Sequence, residues 1–435
     1  NFRLPASDLE WMAEDSGARA LLADERYLRM MPEAASRLQK ARLPVISLQG
    51  ACEGVPSLSQ AKEKPSSEQQ RPHSVDLSET IYVLYTSGTT ARPKGVEETH
   101  KGYAITASAP QLMPPEKVRF LNPLPLYHLA GLASLSNGMA RGGLQILLDK
   151  FSPQAFLETL SRHKANMTFF VPTMMCDLLE SGLLEKADVS TLRIFVYGAA
   201  PTPVPVLLGL IERLPKTMFL QVYSQTEGTS RVTMLGPEDH VLSKEPALRE
   251  KQIRRLSSIG KVMPGVEASV RDAEGREVPP GGIGELWYQT PGKMKGYLNR
   301  EGDTKKTVQD GWIISGDMVR MDEDGYVYIV GRSKDFLIRG GENIAPREIE
   351  EALESHPAVA EAAVVGKPDP RWGEVPVAFV RCPGEVPKEE ELIAHCRARL
   401  AGFKVPEKVW IRQELPRNSL GKILKRELAE EAKKL

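Results

Sequence analysis

The most informative stretch of this chain is the run Tyr85-Thr-Ser-Gly-Thr-Thr-Ala-Arg-Pro-Lys-Gly-Val96. It follows the apolar residues Ile81-Tyr-Val-Leu84, which predict a buried strand. The run contains five hydroxyl side chains, two glycines and one lysine, Lys94. Backbone N–H groups and hydroxyls donate hydrogen bonds to an oxyanion, and the lysine adds a positive charge. The run therefore predicts a loop after a strand that binds a polyphosphate.

The order of residues in this run differs from that of a Walker P-loop, in which Gly-Lys-Ser/Thr opens a helix. Here Pro93 precedes Lys94, and a proline disfavours a helical turn at the residue before it, Arg92. The plainer alternative is a surface loop rich in Gly, Ser and Thr. The whole run, however, resembles the phosphate-binding signature of the adenylate-forming superfamily, which includes acyl-CoA synthetases, nonribosomal-peptide adenylation domains and firefly luciferase. One departure is Ala91, where that family usually has glycine.

Composition narrows the class of protein. Lys+Arg and Asp+Glu both count 57, so no net charge attracts nucleic acid or an anionic membrane, and neither is an expected partner. The four cysteines form no C-x-x-C pair, which favours reduced thiols over a zinc site or a disulfide framework. We see no run of eighteen apolar residues and no signal peptide, so we expect a cytoplasmic enzyme without a transmembrane segment.

The organisation of the chain predicts an α/β fold with two domains. Strands and helices alternate from residue 81 onward, which favours a doubly wound, mostly parallel sheet. We assign residues 1–332 to a large N-terminal domain whose part 258–332 is a small β subdomain, and residues 333–435 to a small α+β domain. The opening at Asn1 resembles a point well inside the family's large domain, so we expect an N-terminal portion to be missing. The resemblance also implies that the small domain is mobile, with its hinge at Lys334.

Two further motifs resemble the nucleotide site of the family. Small residues at the end of a strand let a purine approach the backbone, although an ordinary turn is the plainer reading. The resemblance makes this stretch the adenine shelf, formed by Gly198, Ala199 and Ala200. The motif Tyr223-Ser-Gln-Thr-Glu-Gly228 implies that Tyr223 contacts adenine, Thr226 the α-phosphate and Glu227 a Mg²⁺ ion, which prefers carboxylate and phosphate oxygens. Ser224 replaces a glycine that borders the acyl carboxylate in the family.

In the same way, the resemblance gives each charged residue of later motifs a role. Asp317 would accept the ribose hydroxyls, and Arg332 would contact ribose or phosphate, unless it forms only a structural salt bridge. Lys422, in Asn418-Ser-Leu-Gly-Lys422, resembles the catalytic lysine that bridges the substrate carboxylate and the α-phosphate. For the phosphate-binding run itself, contacts with ATP are expected from Thr86, Ser87, Gly88, Thr89, Thr90 and Lys94. Lys94 would then hold the pyrophosphate that leaves.

A second step is implied by the stretch Arg339-Gly-Gly-Glu-Asn343, in which Gly340 and Gly341 would line a tunnel for the pantetheine of coenzyme A. Rotation of the small domain would withdraw Lys422 and bring this stretch to the site. His128, in Pro125-Leu-Tyr-His128, resembles the residue that gates access of the thiol, although a lone histidine is more often a satisfied core residue.

Together these motifs predict an AMP-forming acyl-CoA synthetase that uses ATP, Mg²⁺ and coenzyme A. We see no cationic cluster for a second carboxylate in the sequence, so we expect a small monocarboxylic acid, either medium-chain aliphatic, as in fatty acid metabolism, or simple aromatic. The alternatives are an adenylation enzyme that loads a carrier protein, a luciferase-like oxygenase, and a non-catalytic nucleotide-binding relative. A homodimer is possible.

Overall fold

The computed structural model describes residues 4–30, 32–49, 55–58, 74–86, 92–108, 117–140, 142–340, 342–418 and 421–435. Nine residues named above lie outside these ranges: Asn1, Ser87, Gly88, Thr89, Thr90, Ala91, Gly341, Ser419 and Leu420. Within the described ranges, no helix is both long enough and apolar enough to cross a membrane.

The chain opens with a small α/β unit and a hairpin. The unit pairs β1 (Leu21–Ala23) in parallel with β2 (Val45–Ser47) and includes α1 (Ala6–Asp15), α2 (Glu25–Met30) and α3 (Pro32–Lys40). The hairpin consists of β3 (Thr80–Thr86) and β4 (Lys94–Thr99), and places Thr86 opposite Lys94. The run 85–96 is therefore less of a loop than its composition suggests, because the residues from Lys94 onward pair with the preceding strand.

The centre of the large domain is a seven-stranded sheet. Its order is β11-β10-β9-β8-β7-β5-β6, in which β5 to β9 are parallel and β10 pairs antiparallel with both β9 and β11. Its strands are β5 (Arg119–Asn122), β6 (Leu144–Leu147), β7 (Met167–Phe170), β8 (Ile194–Gly198), β9 (Met218–Tyr223), β10 (Thr233–Leu235) and β11 (Lys261–Val262). The accompanying helices are α4 (His100–Ala107), α5 (Leu129–Ala140), α6 (Pro153–His163), α7 (Pro172–Glu180), α8 (Val204–Arg213) and α9 (Pro246–Arg255).

The two faces of this sheet have different neighbours. One face packs on α6, α7 and α8 through a core that includes Phe156, Met175 and Leu207. The other face carries a smaller apolar cluster with Val196 and Leu220, and it faces a large cavity. Because neighbouring residues of a strand point to opposite faces, each of these strands contributes to the core and to the cavity at once.

A second sheet follows the first. It has the order β12-β13-β16-β15, and β17 pairs with β16 through a hairpin whose turn contains Gly325 at φ 81°. Its elements are β12 (Glu267–Arg271), β13 (Ile283–Gln289), β15 (Val308–Gln309), β16 (Trp312–Met321) and β17 (Val327–Arg332). Between them, β14 (Gly296–Tyr297) pairs instead with β4, and α10 (Glu301–Thr307) follows. The β-rich stretch is thus joined to the hairpin that carries Lys94.

The C-terminal domain is a five-stranded sheet with helices on both faces. Helices α11 and α12 cover one face, and α13 covers the other. Its elements are β18 (Leu337–Arg339), β19 (Glu342–Ile344), α11 (Pro346–Glu354), β20 (Glu361–Asp369), β21 (Gly373–Arg381), α12 (Glu389–Arg397), β22 (Lys408–Arg412) and α13 (Lys425–Ala432). The predicted fold class, a large α/β domain followed by a small C-terminal domain, is confirmed. The boundaries at 258 and 333 and the hinge stay predictions.

Candidate active site

One cavity of about 930 Å³ brings together most of those predicted site residues that the structure describes. Its wall is built from the hairpin β3–β4, the carboxyl ends of the parallel strands, the β-rich sheet and the small domain. Ten residues that the sequence singled out line it: Thr86, Lys94, His128, Ala199, Ser224, Thr226, Glu227, Arg332, Lys334 and Lys422. Residues from six separate stretches of the sequence therefore share one site.

Five other predicted residues do not line this cavity: Gly198, Ala200, Tyr223, Asp317 and Gly340. Gly198 lies against Val222, Ala200 lines a separate small cavity, and Gly340 lies beside Trp372 in the small domain. The Gly340 backbone has φ 58° and donates a hydrogen bond to the Trp372 carbonyl at 2.7 Å. Its predicted contact with pantetheine would therefore require the small domain to move.

Lys94 is held at the edge of the cavity by an acid that the sequence did not suggest. Its Nζ lies 2.8 Å from Asp303 Oδ2 and 5.3 Å from the centre of the Tyr297 ring. The hydrogen bond from Lys94 holds the pKa of Asp303 below its usual range. An incoming phosphate would have to compete with Asp303 for this lysine.

Glu227 belongs to a short 3-10 turn, Thr226–Gly228, and its carboxylate is oriented by a tyrosine. The Tyr297 hydroxyl donates to Glu227 Oε1 at 2.7 Å. Burial, followed by the nearby Glu227 charge, raises the pKa of Tyr297, so Tyr297 stays a neutral donor. In the described residues, no group of three or more His, Cys, Asp or Glu side chains could hold a metal ion. Glu227 fits the way Mg²⁺ binds beside nucleotides, through one carboxylate together with phosphate oxygens.

A buried acid lies behind Glu227. Glu98 is 2 % exposed, accepts a hydrogen bond from the Thr229 hydroxyl through Oε2, and has no partner for Oε1 among the described residues. Burial raises its pKa to about 8, and the charge of Glu227 adds to this effect. Thr229 has φ 55°, an uncommon backbone conformation for a β-branched residue. The sequence did not single out either residue.

Asp317 already accepts three hydrogen-bonding or ionic partners. The Tyr223 hydroxyl and the Gln225 amide donate to Oδ2 at 2.6 and 2.8 Å, and Arg332 Nε lies 2.7 Å from Oδ1. Tyr223 and Asp317 are both buried, and they link the central sheet to the β-rich sheet. Arg332 thus forms the salt bridge considered from the sequence and also lines the cavity. The contacts of Asp317 with ribose and of Tyr223 with adenine stay predictions.

Lys422 enters the cavity from the loop between β22 and α13. Its surface remains accessible inside the cavity, but the surrounding protein lowers its pKa by desolvation, and the charge of Arg332 lowers it further. The pKa of Lys334 is lowered for the same first reason. The charge of Arg332 also acts on Lys334, so these three cations repel one another. A bound polyanion would relieve this repulsion, which makes the group well suited to bind one.

His128 lines the apolar half of the cavity, and its ring centre lies 4.6 Å from that of Tyr127. Burial lowers the pKa of His128 to about 4, so its imidazole is neutral at neutral pH. A neutral ring suits a gate for an acyl group better than it suits a phosphate ligand. Its gating role remains a prediction.

The apolar wall of the cavity comes from alternate residues of the central strands: Phe120, Phe169, Ile194, Val196, Leu220, Val222 and Met234. Phe170 and Tyr197 each follow one of these residues in the same strand, so strand alternation directs them into the opposite, helix-covered core. The wall also includes Arg231, a cation that the sequence analysis did not assign to the acyl site.

Comparison with known families now decides the class of protein. Residues 1–298 match the family described as AMP-binding enzyme, and residues 348–422 match the AMP-binding enzyme C-terminal domain.

The chain belongs to the AMP-binding enzyme family. A 2-succinylbenzoate–CoA ligase of Bacillus cereus is 35 % identical over 432 residues, which cover 98 % of this chain and 81 % of the relative. The amide bond synthetase McbA of Marinactinospora thermotolerans superposes with a TM-score of 0.86 at 30 % identity, over 98 % of this chain and 83 % of the other. The o-succinylbenzoate CoA synthetase of Bacillus subtilis, in a complex with ATP and magnesium ion, has a TM-score of 0.79 at 31 % identity, over 98 % and 82 %.

These similarities confirm three predictions for this AMP-binding enzyme: membership of the adenylate-forming superfamily on its acyl-CoA synthetase branch, the class of AMP-forming acid–thiol ligase, and the set of ATP, Mg²⁺ and coenzyme A. The proposed link to fatty acid metabolism gains no support, because the relatives are named for an aromatic acid. A homodimer stays a prediction.

Proposed function

We propose that this enzyme activates an aromatic carboxylic acid with ATP and transfers the acyl group from acyl-AMP to coenzyme A. The observation that carries the proposal is the shared cavity, in which the cations Lys94, Arg332 and Lys422 meet Glu227 and an apolar wall. A carboxylate is a poor acyl donor, and its attack on the α-phosphate needs mainly positioning and neutralisation of charge. The cavity offers both.

Each charged residue of the cavity would have its own role in adenylate formation. Lys94 would exchange Asp303 for the leaving phosphates, and Lys422 would stabilise the charge between the acid and the α-phosphate. When bound, Mg²⁺ would neutralise phosphate charge, and Glu227 would hold it. Ser224, whose hydroxyl donates to the Ser230 carbonyl at 2.6 Å, would narrow the entrance to the acyl site.

The acid itself is proposed from the wall of the cavity and from the relatives. Phe120 and Phe169 contribute flat apolar surface, which suits an aromatic ring better than a flexible chain. The acid in the relatives' name, 2-succinylbenzoate, carries a second carboxylate, and Arg231, one of the cations that line the cavity, would contact it. The sequence favours an acid with one carboxylate, whereas the relatives' name favours an acid with two. The test must distinguish these two classes of acid.

The test is pyrophosphate release from ATP across a panel of acids: 2-succinylbenzoate, substituted benzoates and medium-chain fatty acids. Aromatic acids should give the highest kcat/KM. Higher activity with the fatty acids, or none with any acid, would contradict the proposal. Adding coenzyme A, an amine or a carrier protein to preformed acyl-AMP then identifies the acceptor. The amine is included because McbA is an amide bond synthetase. A protein that binds ATP without releasing pyrophosphate would be the non-catalytic relative.

The first mutational prediction concerns Lys422. Lys422→Ala should reduce adenylate formation by at least about a hundredfold, since a charge aimed at the transition state is worth about 3 kcal/mol. It should leave the transfer from preformed acyl-AMP to coenzyme A within about twofold. Lys425→Ala is a matched control, because Lys425 pairs with Glu350 inside the small domain and does not line the cavity. Unchanged adenylation in Lys422→Ala would contradict the assignment.

A further inference from the structure

A chain of alternating charges connects the large domain to the loop that carries Lys422. Glu180 is the last residue of helix α7 in the large domain, and Arg381 is the last residue of strand β21 in the small domain. Arg381 Nη2 donates to Glu180 Oε1 at 2.7 Å, and Arg381 Nη1 donates to Glu180 Oε2 at 3.0 Å. This is the two-pronged geometry in which a guanidinium binds a carboxylate most strongly.

The same guanidinium continues the chain inside the small domain. Arg381 Nε donates to Glu361 Oε2 at 2.6 Å, and Arg417 Nη2 donates to that same oxygen at 2.5 Å. The side chains of Glu361 and Arg381 are only 9 % and 14 % exposed, so water screens this pair weakly. Neutralising Glu180 would therefore leave Arg381 with one carboxylate partner instead of two, and would alter the ion pairs that Glu361 makes with Arg381 and Arg417.

The last link reaches the catalytic loop. Arg417 Nη1 donates to the Gly421 carbonyl at 2.8 Å, next to Lys422, and the Lys422 N–H donates to Asn418 Oδ1 at 2.9 Å. Gly421 also lies against the first turn of α7, since a Cβ at this glycine would come within 2.4 Å of Thr173 Oγ1. Helix α7 thus meets the Lys422 loop directly at its beginning, and through the charge chain at its end.

We propose that Glu180, Arg381, Glu361 and Arg417 form an interdomain latch that holds Lys422 in the cavity for adenylate formation. Glu180 and Arg381 are positioning residues: neither lines the cavity, and they act on Lys422 through Arg417 and Gly421. The latch rests on the proposed function, because its purpose is to favour the first step. It must open when the small domain turns for the second step, so its loss should slow the first step and spare the second.

The experiment compares Glu180→Gln with Glu185→Gln. Glu185 pairs with Arg213 at 2.8 Å, and both residues belong to the large domain, so this control removes an ion pair without touching the domain contact. Glu180→Gln should lower the rate of acyl-AMP formation about fivefold, and leave the transfer of acyl-AMP to coenzyme A unchanged or faster. Arg381→Lys should behave in the same way, because one ammonium group cannot bridge both carboxylates as the guanidinium does.

Trypsin cleavage at Arg332 and Lys334 gives a readout that needs no activity. A loosened small domain should expose this segment, so Glu180→Gln and Arg381→Lys should be cut faster there than Glu185→Gln and the wild type. Equal cleavage together with equal rates would overturn the latch, as would equal losses in both steps. If the wild type releases no pyrophosphate with any acid, the proposed function fails, while the cleavage comparison still decides the latch.

Discussion

The buried carboxyl group of Glu98 makes the stability of this enzyme depend on pH. Its pKa rises from 4.5 to about 8 in the folded protein because burial opposes the charged form. Between these values the folded state keeps a proton that the unfolded chain releases. The contribution of this proton to the free energy of unfolding is therefore fully present below pH 4.5. It falls by at most about 1.4 kcal/mol per pH unit as the pH rises, and it is lost above about pH 8.

Glu98→Gln should remove this dependence, since the amide does not ionise. We expect the free energy of unfolding of the variant to exceed that of the wild type increasingly from pH 5 to pH 8, as measured by urea unfolding at each pH. Glu97→Gln is the control, because Glu97 lies next in the same strand but is partly exposed and accepts a hydrogen bond from the Thr80 hydroxyl. If the free energy of unfolding changed with pH equally in Glu98→Gln and in the wild type, the raised pKa of Glu98 would be contradicted.

The residues that the sequence did not reveal share one physical cause. Glu98 stands in a strand as an ordinary acid, and only packing against Thr229, 131 positions away, makes it buried. Tyr297 and Asp303 act on Glu227 and Lys94 from elements whose local sequence carries no motif. Contacts of this kind depend on how separate strands meet, whereas the motif residues could be found because the local pattern itself resembles a known one.

At the scale of elements, two neighbouring residues at the end of strand β8 should respond in opposite ways to substitution: Gly198 has no room for a Cβ atom, whereas the Cβ atom of Ala199 strains its backbone. A Cβ on Gly198 would lie 2.2 Å from the Val222 carbonyl oxygen of β9, so Gly198→Ala must push two central strands apart. We expect a loss of about 3 kcal/mol or more in unfolding free energy. Ala199 has φ 68° and is exposed, so a Cβ there causes strain without packing against the core.

Ala199→Gly should therefore stabilise slightly. Relief of strain is worth about 1–2 kcal/mol, and the greater freedom of glycine in the unfolded chain takes back about 0.5–1 kcal/mol. The net gain should lie between about 0 and 1.5 kcal/mol in urea unfolding. Destabilisation of Ala199→Gly by as much as Gly198→Ala would show that the side chain of Ala199, rather than its backbone, matters here.

Elements with strong local signals at both ends are the ones that a sequence can predict closely. Helix α6 is an example, because Ser152 accepts from the Ala155 N–H, Pro153 opens the helix and Lys164 ends it at φ 48°. Strand β14 was not predicted, because two residues, Gly296 and Tyr297, carry no periodic pattern. Its existence depends on pairing with β4, far away in the sequence.

At the scale of the whole molecule, the two steps of the proposed reaction ask for two positions of the small domain. The structure has Lys422 in the cavity, and Gly340 beside Trp372 and outside it, which is the arrangement that the first step needs. The short turn Ser333–Asp335 joins the two domains, and Lys334 at its centre lines the cavity. A change at this residue can therefore act through the backbone or through the side chain.

Lys334→Pro and Lys334→Ala separate these two effects. Proline fixes φ near −65° and restricts the residue before it, so it should hinder the rotation that the second step requires. Alanine removes only the ammonium group from the cavity. We expect Lys334→Pro to slow transfer to coenzyme A about tenfold more than it slows adenylate formation, as measured in single-turnover assays of each step. Lys334→Ala should affect transfer no more than adenylation. Equal losses in both steps for Lys334→Pro would place the pivot of the small domain at another residue.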